Sequence, residues 1–144
     1  MATGTTYGTN YTIADTKNPT TFLDSAKWNG KLRALTETYT AAAQIDLGSH
    51  IYVGTLPVGA IPRFAIISTA AGATGEVTGT IGSATTAALF GTFTTIAAAS
   101  TQFLVATAAN TPLTAETAIR IVTAGGHIAT SSIIDVQLFW SEHN

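Results

Sequence analysis

The feature that most constrains the fold of this chain is a long stretch without a single charged side chain. No Lys, Arg, Asp or Glu occurs from Val77 to Ala115, and threonine, alanine and glycine fill much of that stretch. Threonine is β-branched and fits a pleated, half-buried surface. Its hydroxyl can hydrogen-bond to a neighbour, whereas burying a charge costs several kcal/mol of desolvation. The stretch therefore favours β-strands whose surfaces other polypeptides can cover.

Composition extends this interpretation to the whole chain of 144 residues. Only 10% of them are charged, against about 25% in an ordinary soluble domain. The net charge is −2 and no basic run occurs, so nothing favours nucleic acid as a partner. A free-standing monomer normally needs a more charged surface to stay dispersed. We therefore expect neighbouring molecules to cover a large share of this one.

From residue 31 onwards the chain has the alternation and the turn residues of β-strands. Short alternating runs with turns at regular intervals are typical of an antiparallel β-sandwich or barrel. One segment, 49–68, contains two β-rich runs joined by LPVG, which suits a tight turn. We predict about seven or eight strands, within residues 31–39, 49–68, 75–82, 87–93, 102–107, 116–126 and 132–140.

Three local predictions are more detailed. The segment from Tyr39 to Gln44 is rich in alanine, and we predict one short helix or turn there. The GGH sequence at 125–127 is predicted to be a hairpin turn, with both glycines at positive φ. Trp140 alternates with the apolar residues of the last strand, which predicts a position in the core.

The first thirty residues have no sustained helix or strand period, but they carry well-spaced aromatic side chains. A disordered tail is the simpler interpretation of such a segment. Spaced aromatics favour an ordered arm instead, because each ring can enter a pocket on a partner. The sequence thus predicts an extended N-terminal arm over 1–30 and a β-sandwich domain over 31–144. The predicted anchors of the arm are Tyr7, Tyr11, Phe22 and Trp28.

Motifs for catalysis, cofactors and metals are missing from the sequence. It contains no nucleophile elbow, P-loop or dinucleotide fingerprint, and no cysteine. Its three histidines, His50, His127 and His143, do not have the spacing of a metal site. We therefore predict a protein that is not an enzyme and that binds neither cofactor nor metal.

Export and membrane signals are also missing. The N-terminus lacks the positive start and apolar stretch of a signal peptide. No apolar run reaches the roughly 18 residues that a membrane-spanning helix needs. We expect synthesis in the cytoplasm and no membrane partner.

The three arginines, Arg33, Arg63 and Arg120, are candidates for specific contacts between subunits. On a chain with so few charges, each guanidinium can form a salt bridge at a subunit contact. A solvated position at the rim of the domain is the alternative for each of them. Trp28 and Trp140 are also candidate stacking platforms for sugars, although a core position is the simpler interpretation of Trp140.

Several motifs resemble those of small virion structural proteins encoded beside the major capsid protein in tailed bacteriophages. These are YGTNYT at 7–12, the Trp-x-Gly-Lys start of a strand over 28–32, and the turn within Ile51–Ala60. A final strand that ends in Phe139 and Trp140 is similar as well. The resemblance covers most of the chain, and its motifs are structural.

This resemblance implies a capsid decoration or cement protein with a jelly-roll-like β-sandwich. Such a protein is not an enzyme and binds the outer surface of the capsid. It bridges adjacent major capsid protein subunits as a homodimer or homotrimer, with its arm along a capsid or sister subunit. Two alternatives stay open: a structural protein of the tail or neck, and a carbohydrate- or receptor-binding β-sandwich on the virion.

Overall fold

The computed structural model describes residues 31–69, 77–96 and 99–142, apart from the side chains of 95 and 96. These residues form eight strands and no helix, which confirms the prediction of an all-β fold. The strands are β1 (Leu32–Thr40), β2 (His50–Leu56), β3 (Ala60–Thr69), β4 (Val77–Gly82), β5 (Gly91–Ile96), β6 (Thr101–Val105), β7 (Thr117–Ala124) and β8 (Ile133–Glu142).

The strands form two antiparallel four-stranded sheets, with the orders β1-β8-β3-β6 and β2-β7-β4-β5. The first strand pairs with the last, the second with the seventh, the third with the sixth and the fourth with the fifth. This is the connectivity of one long hairpin rolled into two sheets, the jelly-roll arrangement. The predicted antiparallel sandwich is confirmed, and its connectivity is that of a jelly roll.

The inner faces of the two sheets share one hydrophobic core. Phe90, Phe93, Ile67 and Leu138 are all fully buried in it. Burial of such a side chain contributes roughly 1.5–3 kcal/mol relative to leaving it exposed. Trp140 is partly buried and packs against this core, as its alternation predicts.

The LPVG turn carries the chain from one sheet to the other, between β2 and β3. The Ala60 N–H donates to the Pro57 carbonyl at 3.2 Å. Gly59, the third residue of the turn from Pro57 to Ala60, has φ +81°. A type II turn needs positive φ at that position, which explains the glycine.

The short helix that we considered at Tyr39–Gln44 does not form. Strand β1 continues to Thr40, and a bend follows at residues 42 and 43. The Ala41 N–H donates to the Ser132 carbonyl at 2.9 Å, and the Ser131 N–H donates to the Ala41 carbonyl at 2.7 Å. Bonds to a segment far along the chain therefore take the place of local helical bonds.

The predicted GGH hairpin at 125–127 is also wrong. Strands β7 and β8, which flank it, lie in different sheets, so the segment is a crossover. Gly125 has φ +74°, but Gly126 does not have a positive φ. Beside it Ile128 and Ile45 exchange backbone bonds of 3.0 and 2.9 Å, which hold the crossover against the loop before β2.

Candidate functional site

The outer side of the β1-β8-β3-β6 sheet carries the most distinctive surface of the described chain. Strand alternation points Ala65, Ile67 and Leu138 into the core. Their neighbours along β3, β6 and β8 therefore point outwards. We call these outward residues the phenylalanine face, and it has three rows across the sheet. The rows are Phe139–Phe64–Val105, Gln137–Ile66–Phe103 and Asp135–Ser68–Thr101.

Three aromatic rings form a continuous stack on this face. The ring of Phe64 lies 4.4 Å from that of Phe139, centroid to centroid, with 19° between the planes. The Phe103 ring lies 5.0 Å from Phe64 on its other side. Contacts of this kind contribute about 0.5–1.5 kcal/mol beyond the area that they bury. These contacts fix the orientation of the three rings, and the Phe103 side of the stack is exposed to solvent.

The stack is exposed on its β6 side. Phe103 is 61% exposed and Val105 is 65% exposed. Exposed single apolar residues are common, but a contiguous apolar patch marks an interaction site. The phenylalanine face is therefore the candidate functional site.

Electrostatics reinforce the apolar character of this face. Asp135 is the one ionisable residue in its three rows, and its carboxylate accepts a hydrogen bond from the Thr38 hydroxyl at 2.6 Å. A positive charge lies beyond the opposite end, where Arg63 donates to the Ser141 hydroxyl at 2.9 Å. The centre of the face carries no charge, so an apolar partner can cover it without desolvating an ion.

Two of the three predicted contact arginines, Arg33 and Arg63, bind adjacent residues at the end of β8, and Arg120 lies on the other sheet. Arg33 forms an ion pair with Glu142 at 3.0 Å, at the start of β1. Arg63 donates to Ser141, to the Ala109 carbonyl at 2.7 Å and to Asn110 at 3.1 Å. Its guanidinium thus ties β3, β8 and the loop after β6 together. Their role at subunit contacts stays a prediction.

Arg120 lies on the outer side of the other sheet, paired with Tyr52. Its Nη1 is 3.3 Å from His50 Nδ1. Its Nε is buried without a hydrogen-bond partner in the described part of the chain. Tyr52 is 68% exposed beside it. The arrangement leaves this guanidinium less satisfied than that of Arg63.

The predicted arm anchors Tyr7, Tyr11, Phe22 and Trp28 lie outside the described residues. The prediction of an arm over 1–30 therefore stays a prediction.

A cavity of about 350 Å³ lies between the β4–β5 loop and the segment before β7. Residues with hydroxyl or apolar side chains line it, and none of them is charged. The Ser83 hydroxyl accepts the Thr86 N–H at 2.9 Å, and the Thr117 hydroxyl donates to the Ala115 carbonyl at 2.9 Å. The cavity thus offers hydroxyls and apolar side chains, but no charged group, to a ligand.

Among the described residues, no three histidine or carboxylate side chains come together as a group that could hold a metal ion. In the same residues, no helix is long and apolar enough to cross a membrane.

Sequence reasoning missed the phenylalanine face. It did place Phe139 on the side of β8 opposite to Val136 and Leu138, and a phenylalanine pointing away from the core was the available signal. The other rings of the stack come from β3 and β6. Only the pairing of the strands brings them beside Phe139.

The sequence matches no protein-family model and no curated protein. Two solved structures contain chains of similar fold. One is a chain of the capsid of Ralstonia phage GP4, with a TM-score of 0.59 and 21% identity over 80% of this chain and 85% of that one. The other is a chain of the capsid asymmetric unit of cyanophage Pam1, with a TM-score of 0.58 and 23% identity over 79% and 85%. At this identity the likeness shows a common fold across most of both chains.

Proposed function

We propose that the protein is a non-enzymatic structural component of a bacteriophage virion. It binds the outer surface of the capsid and cements adjacent major capsid protein subunits. The observation that carries the proposal is the shared fold, which covers about four fifths of this chain in two separate phage capsids. The motifs that resemble small virion proteins of tailed phages support the same role independently of the fold.

The surface of the molecule agrees with a permanent place in a protein assembly. Only 10% of the residues are charged, and the phenylalanine face exposes Phe103 and Val105 to water. Surfaces of this kind are covered in assemblies of protein subunits. A shell of repeated subunits offers such cover at every copy.

The proposed cementing mechanism uses many weak contacts. The protein forms a homodimer or homotrimer, and residues 1–30 of each copy extend along a capsid subunit or a sister copy. Tyr7, Tyr11, Phe22 and Trp28 are the anchors of this arm. Once one copy of the oligomer is bound, the next binds at a high effective concentration, so avidity strengthens the attachment. An oligomer that crosses the junction between capsid subunits resists their separation when packaged DNA presses outwards.

The proposal predicts that particles lacking this protein lose DNA more easily. Particles from a phage with the gene deleted are heated beside wild-type particles, and released DNA is detected with a dye. We expect release at a lower temperature from the deleted particles. Adding the purified protein is expected to restore wild-type release and to saturate at a fixed copy number.

Two results would contradict the proposal. One is identical DNA release with and without the protein. The other is recovery of the protein in purified tails while the heads contain none, which would support a tail or neck role instead. An unrelated protein of similar size, added at the same concentration, controls for nonspecific protection.

A further inference from the structure

We infer that the phenylalanine face is the contact between two copies of this chain, which pack face to face about a twofold axis. The inference deepens the proposed function by naming the partner of one surface, and it rests on that function only for its biological setting. Dimerisation is measured on the purified chain, so its failure is distinct from a failure to bind capsids.

The geometry of the rows makes the face complementary to itself. We place the twofold axis midway between the facing β1-β8-β3-β6 sheets of the two copies. It runs perpendicular to the strands, between the first and second rows. The first row of each copy, Phe139–Phe64–Val105, then lies over the second row of the other, Gln137–Ile66–Phe103. Each exposed Phe103 meets a Val105, and both are covered. Two sheets pack in this way at about 10 Å, with their strands within about 30° of each other.

The charges also favour this antiparallel arrangement. Asp135 and Ser141 are six residues apart on β8, a separation of about 20 Å along the strand, and Ser141 binds the guanidinium of Arg63. The twofold axis brings the Asp135 end of each copy towards the Arg63 end of the other. A twofold axis along the strands would instead place Asp135 of both copies at the same end of the interface. Opposite charges at the rim of an interface fix its orientation.

One backbone edge of the sandwich beside this face, that of β5, is partly covered by a side chain. The side-chain amide of Gln102 accepts the Thr94 N–H at 3.0 Å and donates to the Thr94 carbonyl at 3.2 Å. A side chain of β6 thus covers part of the backbone edge of β5. Contact through the face is favoured over addition of a strand at this edge.

The area of the face fits a modest dimer. The whole outer side of the sheet, with four strands about 4.8 Å apart and up to about 33 Å long, has a flat footprint of roughly 500–600 Å², and the three rows of the face take about half of it. Protruding rings raise the accessible area above that figure. A standard interface buries about 800 Å² per partner. We therefore expect a dimer that forms at high concentration and dissociates on dilution.

A matched pair of variants tests the inference. Val105→Asp places a charge opposite Phe103 of the other copy in the proposed contact. Val58→Asp makes the same change at a valine with the same 65% exposure, in the turn between β2 and β3. Sedimentation velocity of the full chain across a dilution series measures the mass of each. Far-UV circular dichroism checks that both variants keep the β-sandwich.

We expect wild type and Val58→Asp to reach twice the 14.8 kDa chain mass at high concentration. Val105→Asp is expected to stay at one chain mass throughout. A monomeric wild type, a trimer, or a Val105→Asp protein that still dimerises would overturn the inference. If wild type is monomeric but Val105→Asp loses capsid binding, the face contacts the capsid, and the inference is likewise wrong.

A second pair tests the orientation. Asp135→Lys brings a positive charge towards Arg63 of the other copy, whereas Asp135→Asn only removes the negative one. We expect the lysine variant to dimerise about tenfold more weakly than the asparagine variant. Equal dissociation constants for the two variants would exclude the antiparallel arrangement.

Discussion

Replacing Gly79 with valine is expected to lower the free energy of unfolding by about 3 kcal/mol, the upper end of the usual range for overpacking. Gly79 lies in β4 between β5 and β7, where it pairs with Phe93 and Thr123. A Cβ at this position would overlap the Val122 carbonyl oxygen and lie 2.5 Å from the Phe93 ring. The carbonyl belongs to a central strand and cannot move without breaking the pairing of the sheet. A loss of this size is a large share of the stability of a small domain.

Urea unfolding, followed by circular dichroism, measures this effect, and Gly48→Ala is the control. Gly48 has φ +77°, but a Cβ there would meet nothing within 4 Å. Its substitution carries only the left-handed backbone penalty, about 1–2 kcal/mol. Equal losses for the two variants would mean that β4 does not pack as described. Adding Phe93→Leu to Gly79→Val is expected to restore stability only in part, because the contact with the Val122 carbonyl remains.

Deleting residues 1–30 is expected to leave the β-sandwich folded and to weaken capsid binding at least a hundredfold. All described strands begin at or after Leu32, and the buried core begins at Ala41. We therefore expect these strands and this core to form without the first thirty residues. A buried aromatic anchor typically contributes 2 kcal/mol or more to binding, so losing several such anchors removes most of the attachment. Cosedimentation with particles from the gene-deleted phage measures binding.

A full-length variant separates the rings of the arm from its length. In it, alanine replaces Tyr7, Tyr11, Phe22 and Trp28 together. We expect this variant to bind as poorly as the truncated chain, with an unchanged thermal unfolding midpoint. Wild-type binding by the truncated chain would refute the anchoring role of the arm. Wild-type binding by the alanine variant alone would assign the attachment to the backbone of the arm.

The strands could be predicted from the sequence because each one has a pattern of alternating residues within its own segment. In β8, Ile134, Val136 and Leu138 alternate with outward residues, and the structure buries all three. The turn at Pro57–Ala60 could be predicted in the same way, because its sequence contains a glycine, the residue that most easily adopts the positive φ found there. Alternation and turn chemistry depend on neighbouring residues, so a single sequence contains them.

What the sequence did not predict correctly involves contacts between residues that are far apart in the chain. The alanines after Tyr39 favour a helix locally, but Ala41 pairs with Ser132 from the other end of the chain. The hydrogen bond between Arg63 and Ser141 spans 78 residues of the chain, and no local pattern indicates it. The phenylalanine face joins three strands that only the sheet register brings together. Local sequence patterns do not specify such register.

Electron cryomicroscopy of intact particles of the encoding phage tests the central claim most directly. The account predicts eight-stranded sandwiches on the outer surface of the shell, placed over junctions between major capsid protein subunits. It also predicts that this density disappears when the gene is deleted. A bare shell in wild-type particles, with the protein confined to the tail or absent from the virion, would contradict it.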